Sequence, residues 1–156
     1  MDRTDIEHLR RCIELARTAR EDGNEPFGSL LVAGDGRVLL ELMNTTGGGD
    51  VTGHPELALA GWASANLSPE ERAAATLYTS CESCGMCATA QFWSGVGRLV
   101  FALSTDQLME IVPDGGPVLH LTSRDVFERG NKDIAVEGPC DELAAEALAV
   151  FDGFWT

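Results

Sequence analysis

Positive charge is scarce in this chain. Eleven lysine and arginine residues stand against 25 aspartate and glutamate residues, which gives a net charge of −14. Proteins that bind nucleic acid draw much of their affinity from cations that neutralise phosphates. The one basic cluster contains Arg10, Arg11, Arg17 and Arg20, and it is interleaved with acids in a manner typical of a solvated helix face. The sequence therefore argues against a nucleic-acid partner.

Long apolar runs are also missing. None approaches the roughly 20 residues that a membrane-crossing helix needs, and residues 1–20 are charged and amphipathic, unlike the apolar core of a signal peptide. The five cysteines are odd in number. We therefore expect no membrane association and a reducing, cytoplasmic location. In that compartment, clustered cysteines more often bind a metal or do chemistry than pair with each other.

The length of 156 residues, 44% of them hydrophobic, predicts one domain over residues 1–156 with a core of its own. Hydrophobic periodicity predicts helices over 4–21, 54–66, 84–94, 104–111 and 141–151. It predicts strands over 27–33, 37–44, 75–80, 98–103 and 117–121, and it leaves 123–138 unassigned.

A β-hairpin at the front and strands that alternate with helices later predict an α/β fold. Strands that alternate with helices are usually parallel neighbours joined by helical crossovers. The hairpin adds an antiparallel strand pair at one edge of the sheet. We expect a mixed five-stranded sheet with helices on both faces, in a three-layer α/β/α arrangement. Residues 141–156 would form a C-terminal helix and an aromatic tail.

Three cysteines recur at a spacing of three in TSCESCGMC: Cys81, Cys84 and Cys87. An iron–sulfur cluster usually takes four cysteines, and the next position in the ferredoxin spacing is Gln91. A structural zinc closed by all three cysteines and His54 is a stronger alternative. The third possibility is a catalytic zinc that binds only two of the three thiols.

In the catalytic-zinc hypothesis, the protein ligands are His54, Cys84 and Cys87. Two cysteines at i and i+3 in a helix start can face one point, and the N-terminus of a helix favours thiolates. Three protein ligands leave one position of the zinc tetrahedron open. Glu56, two residues after His54, is then placed to act as general acid and base. The closed site leaves Glu56 without a role, whereas the open site leaves Cys81 as a buried bystander. Of the other histidines, His120 is expected inside a strand, in a structural role.

The pair His54-Pro55-Glu56 and Cys84-Gly85-Met86-Cys87 resembles the H-x-E…P-C-x-x-C signature of the zinc-dependent cytidine deaminase-like superfamily. The segments PFGSLLV, HPELAL, TLYTSCESCGMC and GRLVFAL occur in family order, so the resemblance covers roughly residues 5–125. The TSCESCGMC segment is most similar to guanine deaminase and related nucleobase deaminases, and then to tRNA adenosine deaminases. Two positions depart from the family pattern. Ser83 replaces the usual proline, and Pro55 removes an N–H that could bind a substrate oxygen.

The resemblance implies a zinc-dependent hydrolase that removes an amino group from a small heterocycle, namely a guanine-like nucleobase, a nucleoside or a triazine, and releases ammonia. It implies Zn²⁺ as the cofactor, a homodimer, and Glu56 as the catalytic residue. It further implies that Phe27 packs on the substrate ring, that Asn44 hydrogen-bonds the substrate, and that the tail with Trp155 covers an active site. The alternatives are a tRNA adenosine deaminase and a non-enzymatic interaction protein with a structural zinc.

Overall fold

Five strands and seven α-helices make up the fold in a computed structural model, which describes residues 1–155. The strands are β1 (Gly28–Val32), β2 (Val38–Met43), β3 (Thr76–Cys81), β4 (Arg98–Leu103) and β5 (Ala135–Glu137). The α-helices are α1 (Arg3–Glu21), α2 (Pro55–Asn66), α3 (Pro69–Ala74), α4 (Gly85–Ser94), α5 (Thr105–Met109), α6 (Ser123–Glu128) and α7 (Ala144–Leu148). Short 3₁₀ turns lie at Thr46–Gly48, Asp141–Leu143 and Ala149–Phe151. Within the described part of the chain, no helix is both long enough and apolar enough to cross a membrane.

The strands form one mixed sheet in the order β2-β1-β3-β4-β5. The strand β1 is antiparallel to both β2 and β3, whereas β3, β4 and β5 run parallel to one another. Parallel neighbours require crossover connections, which α4 and the segment with α5 and α6 supply. The carboxyl ends of β3 and β4 therefore open at the same edge of the sheet.

Side chains alternate across the sheet and build two cores, one for each helical layer. One core joins α1 and the C-terminal segment to Leu30, Tyr78 and Val100. The other joins α2, α4 and α6 to Leu31 and Phe101. Neighbouring strand residues thus face opposite layers, as the period of two in a strand requires.

Gly28 sets how closely α1 can lie on β1. A Cβ at this position would come within 2.5 Å of the Cys12 carbonyl oxygen and within 2.5 Å of the Leu15 Cβ. Only glycine permits this approach. The tight packing fixes the start of β1 and, with it, the neighbouring Phe27.

The fifth strand is not where the sequence pattern predicted it. Residues 117–121 contain no strand, and Val118 and Leu119 are 48% and 73% exposed. His120, expected inside that strand, lies on an exposed loop. The edge position beside β4 is taken instead by Ala135–Glu137, in the stretch without a clear period. The apolar run at 117–121 follows Gly115 and Gly116 and has no strand to pair with.

The C-terminal helix predicted over 141–151 is broken. It consists of two 3₁₀ turns around a five-residue α-helix, α7. Its apolar positions Leu143, Ala147 and Val150 are nevertheless buried on one core, as the predicted stripe requires.

A buried ion pair ties α1 to the sheet. The guanidinium of Arg98 on β4 donates two hydrogen bonds of 2.8 Å to the carboxylate of Asp5, and the Tyr78 hydroxyl donates one of 2.7 Å. Asp5 is only 3% exposed. Burial alone would raise the pKa of this carboxyl, but the hydrogen bonds from Arg98 and Tyr78 outweigh it and lower the pKa well below its ordinary value.

We predict that Asp5→Asn lowers the free energy of unfolding at pH 7 by about 2 kcal/mol, because it weakens two charge-assisted hydrogen bonds of Arg98, which keeps Glu137 as its remaining charge partner. A depressed folded-state pKa contributes stability above the ordinary carboxyl pKa and loses it as the pH falls below that value. The difference between the variant and the wild type should therefore shrink steadily as the pH falls below about 4, as measured by urea denaturation. The control is Glu7→Gln, which breaks an exposed pair on the same helix and should cost less than about 0.5 kcal/mol. A deficit of Asp5→Asn that is independent of pH would contradict this assignment.

Candidate active site

The site lies where the starts of two helices meet the carboxyl end of β3. His54 precedes α2, Cys84 is the residue before α4, and Cys87 is in the first turn of α4. The two helices pack side by side, so their N-termini converge. The positive ends of both helix dipoles favour negative charge at this point.

The ligand atoms of these three residues form a close triangle. The Sγ atoms of Cys84 and Cys87 are 3.6 Å apart, and the Nδ1 of His54 is 3.7 Å from the first sulfur and 3.5 Å from the second. With Zn–S of about 2.3 Å and Zn–N of about 2.0–2.1 Å, a tetrahedral site separates two sulfurs by about 3.8 Å and nitrogen from sulfur by about 3.6 Å. His54, Cys84 and Cys87 are therefore placed to hold a zinc ion.

Protonation at the site also suits a metal. The pKa of Cys84 is lowered to about 4, first by its hydrogen bond with Cys87 and then by His54, and burial only partly offsets this. Of the two thiols, Cys84 is therefore the one that loses its proton more readily. Because thiolates and a neutral imidazole are the donors that zinc prefers, a divalent ion would displace the protons of the pair.

Cys81 does not join this triangle. Within residues 1–155, the one group of histidine, cysteine and acidic side chains with ligand atoms close enough for a metal is His54, Cys84 and Cys87. Cys81 is 2% exposed, and burial raises the pKa of its thiol. The geometry therefore favours the open three-ligand site over the closed four-ligand one.

Glu56 is buried beside the ligands without a cation of its own. It is 5% exposed, and no ion pair of its carboxylate is present in the described part of the chain. Burial is the main reason why the pKa of this carboxyl is raised. A raised pKa lets a carboxyl both accept and donate a proton near neutral pH.

Two hydroxyls hold Glu56 in place. The hydroxyl of Thr79 on β3 donates to its Oε1 at 3.0 Å, and the hydroxyl of Ser29 on β1 donates to Thr79 at 3.0 Å. Ser29 and Thr79 are direct partners across the two strands, and both are fully buried. Sequence reasoning missed these residues, because only the strand register shows that the two polar positions face each other beneath the acid.

A cavity of about 710 Å³ opens beside the zinc ligands and Glu56. Its wall includes Phe27, Asn44 and Trp155, the three predicted substrate contacts, together with Phe154. The predicted site residues are thus brought together around one cavity. That they contact substrate stays a prediction.

Aromatic stacking connects the tail to the cavity wall. The ring of Phe151 is 5.5 Å from that of Phe27 and is stacked on that of Trp155 at 5.4 Å. Arg20 at the end of α1 donates to the carbonyl oxygens of Val150 and Asp152, each at 2.7 Å. The tail therefore lies over the cavity of its own chain.

Glu82 is a further residue that sequence reasoning missed. It is 8% exposed, and its carboxylate accepts hydrogen bonds from the backbone N–H groups of Thr105 and Ser123, each at 3.1 Å. It thereby holds the starts of α5 and α6. Between them runs the segment that contributes Leu108, Met109 and other residues to the cavity wall.

An open zinc site with a buried carboxylate beside it defines a class of metal-dependent hydrolytic sites. The sequence pattern of the cytidine and deoxycytidylate deaminase zinc-binding region matches residues 2–103 of this chain. The chain belongs to this family of zinc-dependent deaminases. The resemblance seen in the sequence is thereby confirmed, as is zinc as the cofactor.

Relatives with different substrates are similar to the chain. A probable cytosine deaminase from Schizosaccharomyces pombe is 37% identical over 153 residues, which covers 97% of this chain and 92% of the relative. A solved guanine deaminase from Nitrosomonas europaea has 25% identity and a TM-score of 0.71, over 94% of this chain and 82% of the other. A structure from work on tRNA:A34 deaminases has 27% identity and a TM-score of 0.69, over 93% and 99%. These matches confirm the mixed five-stranded α/β/α fold.

We predict that His54→Ala, Cys84→Ser and Cys87→Ser each weaken zinc binding by more than the roughly 10- to 100-fold that changes outside the ligand set cost. Zinc per chain is measured by elemental analysis after dialysis against a mild chelator. Cys81→Ser is the matched control and should keep its zinc, since its sulfur lies outside the triangle. Equal loss of zinc from Cys81→Ser and Cys84→Ser would contradict the three-ligand assignment.

Proposed function

We propose that this deaminase hydrolyses a free amino-substituted nucleobase and releases ammonia. Cytosine is the first candidate substrate and guanine the second. The observation that carries the proposal is the buried Glu56 carboxyl, which lies next to the ligand triangle and on the wall of a cavity. Similarity to the probable cytosine deaminase over 97% of this chain supports cytosine. Similarity to the solved guanine deaminase supports guanine.

Zinc, when bound, supplies Lewis-acid activation of a water molecule in a neutral solution. The chain's own residues do the rest of the work. Glu56 takes a proton from the attacking water and delivers one to the ring nitrogen beside the amino-bearing carbon. It then carries a proton to the departing amine, so that ammonia leaves and a carbonyl replaces it.

The setting of Glu56 fits this shuttle. Burial raises the pKa of its carboxyl, which favours the protonated form that donates to the ring nitrogen. The hydrogen bond from the Thr79 hydroxyl orients Oε1 of Glu56. Ser29 in turn fixes the hydroxyl of Thr79.

Phe27 and Asn44 are proposed substrate contacts, with Trp155 as part of a lid. Phe27 offers an aromatic ring to the cavity, and its packing on Phe151 holds it there. Asn44 lines the same cavity. Trp155 and Phe154 close the side formed by the tail, which Arg20 anchors through two carbonyl oxygens.

A tRNA adenosine deaminase is the second candidate, supported by the similarity to the tRNA:A34 deaminase structure. Two observations weigh against it. The net charge is −14, and none of the described residues on the cavity wall is a lysine or an arginine. An anticodon loop would meet an acidic surface, whereas a neutral base would not be repelled. The other alternative, a structural zinc without enzymatic activity, loses its support because Cys81 is outside the ligand triangle.

A homodimer and a cytoplasmic location remain part of the proposal. Met86 and Trp93 are 36% and 75% exposed and lie seven residues apart on α4, so they share one face of that helix. Such an apolar face supports association with a second copy.

We predict that Glu56→Gln binds zinc and folds like the wild type but loses about 10²–10⁴-fold in kcat on the best base found, because the amide cannot shuttle protons. Ammonia release from cytosine, guanine and their nucleosides is measured in a coupled assay. Glu71→Gln, at an exposed helix start away from the cavity, is the control and should keep wild-type turnover. Near-normal activity in Glu56→Gln would refute the proposed role.

We predict that Trp155→Ala raises KM by about five- to tenfold, the equivalent of about 1.0–1.4 kcal/mol of lost contact, while zinc content stays unchanged. Steady-state kinetics and elemental analysis on the same preparation check both parts. Val38→Ala trims a side chain that is 40% exposed and does not line the cavity, so it should leave KM alone. If Trp155→Ala has wild-type kinetics, the tail is not a lid.

A further inference from the structure

The cavity wall holds a hydrogen-bond acceptor next to a hydrogen-bond donor. Glu25 and Asn44 both line it, and the Nδ2 of Asn44 is 3.5 Å from the Oε2 of Glu25. Glu25 precedes β1 and Asn44 follows β2, so the antiparallel pairing of the two strands brings them together.

The amide of Asn44 has a fixed orientation. Its Oδ1 accepts hydrogen bonds from the backbone N–H and the hydroxyl of Thr46, at 2.9 and 2.7 Å. Asn44, directly after β2, has no exposed surface of its own. Its amide is therefore held with the N–H groups toward Glu25, and it acts as a donor on that side.

Glu25 has spare capacity to accept. Its Oε2 makes two long contacts, 3.5 Å to Asn44 and 3.3 Å to the Thr46 hydroxyl. Its Oε1 takes part in no hydrogen bond or ion pair among residues 1–155. A half-buried carboxylate at a cavity wall with an unused oxygen would gain from an N–H donor, because hydrogen bonds to a charged acceptor are stronger than neutral ones.

Glu25 and Glu56 reach the cavity from different elements. Glu25 and Asn44 come from the segments that flank β1 and β2, whereas Glu56 is in the first turn of α2. A ring packed on Phe27 with its amino-bearing carbon toward Glu56 can then turn its opposite edge toward Glu25. Pro55, on the same wall, has no N–H to offer a substrate oxygen. Asn44 offers a side-chain N–H group that can donate a hydrogen bond to that oxygen instead.

We propose that Glu25 and Asn44 together read an N–H beside an acceptor atom on the far edge of the substrate ring, and so select free bases over nucleosides. The inference rests on the proposed function and deepens it. Cytosine presents N1–H beside its O2 on the edge opposite the amino group. In cytidine the sugar replaces the hydrogen on N1. Glu25 then has no N–H from which to accept a hydrogen bond and instead meets a bulky substituent.

The test compares cytosine with 1-methylcytosine on the zinc-loaded wild type, Glu25→Ala and Glu25→Gln. The wild type should prefer the free base by about 10- to 100-fold in kcat/KM, the size expected for one charged hydrogen bond. Glu25→Ala should lose about that factor on the free base, mainly through KM, and should not lose activity on the methylated base. The preference for the free base over the methylated base should therefore disappear in Glu25→Ala. Glu25→Gln, which keeps the size of the side chain, should lose most of the preference as well.

The control is Glu21→Ala, an exposed acid at the end of α1, which should preserve both rates. Equal losses of Glu25→Ala on free and methylated bases, or an unchanged preference, would overturn the inference while the proposed function stands. The same ratios, read as dissociation constants by calorimetry on zinc-loaded Glu56→Gln, do not depend on turnover. Absence of ammonia from every base in the wild type would overturn the proposed function. A calorimetric preference that survives in Glu25→Ala would overturn the inference separately.

Discussion

The burial of one carboxylate beside three metal ligands is the constraint around which this structure is organised. Glu56 and His54 are two residues apart at the start of one helix, and the two thiols come from the start of its neighbour. Helix N-termini tolerate thiolates and an acid in a confined space, because their free N–H groups and dipoles offset the negative charge. The sheet beneath contributes the hydroxyls of Ser29 and Thr79, which satisfy the acid without neutralising it.

Membership of the family does not by itself name the substrate, because relatives named for cytosine, guanine and tRNA all match this chain. The walls of the cavity are the part of the site that would distinguish these substrates. Three different parts of the chain form the walls of the cavity. One is the C-terminal tail held by Arg20, and another is the segment between Thr105 and Ser123 held by Glu82. The third is the pair Glu25 and Asn44, which we propose to contact the far edge of the substrate.

The sequence was most informative where local signals and the site coincide. The helix starts at His54 and Cys84 carry the motif, and the ligand triangle follows from them because i and i+3 spacing and helix packing leave little freedom. The sequence was a poor guide where a strand is fixed by the neighbouring strand with which it pairs. The strand at Ala135–Glu137 is only three residues long and is fixed by its pairing with β4. The longer apolar run at 117–121 finds no such partner. Glu25, Thr79 and Glu82 were missed because their roles depend on contacts between distant segments, which no local pattern reports.

X-ray absorption at the zinc edge of the purified protein tests the central claim most directly, because it counts the donor atoms around the ion. The account predicts two sulfurs at about 2.3 Å and lighter donors at about 2.0–2.2 Å, of which one is the imidazole nitrogen of His54. A first shell of three sulfurs and one nitrogen would mean that Cys81 closes the site. Such a result would leave no open position beside Glu56, and the account would be wrong.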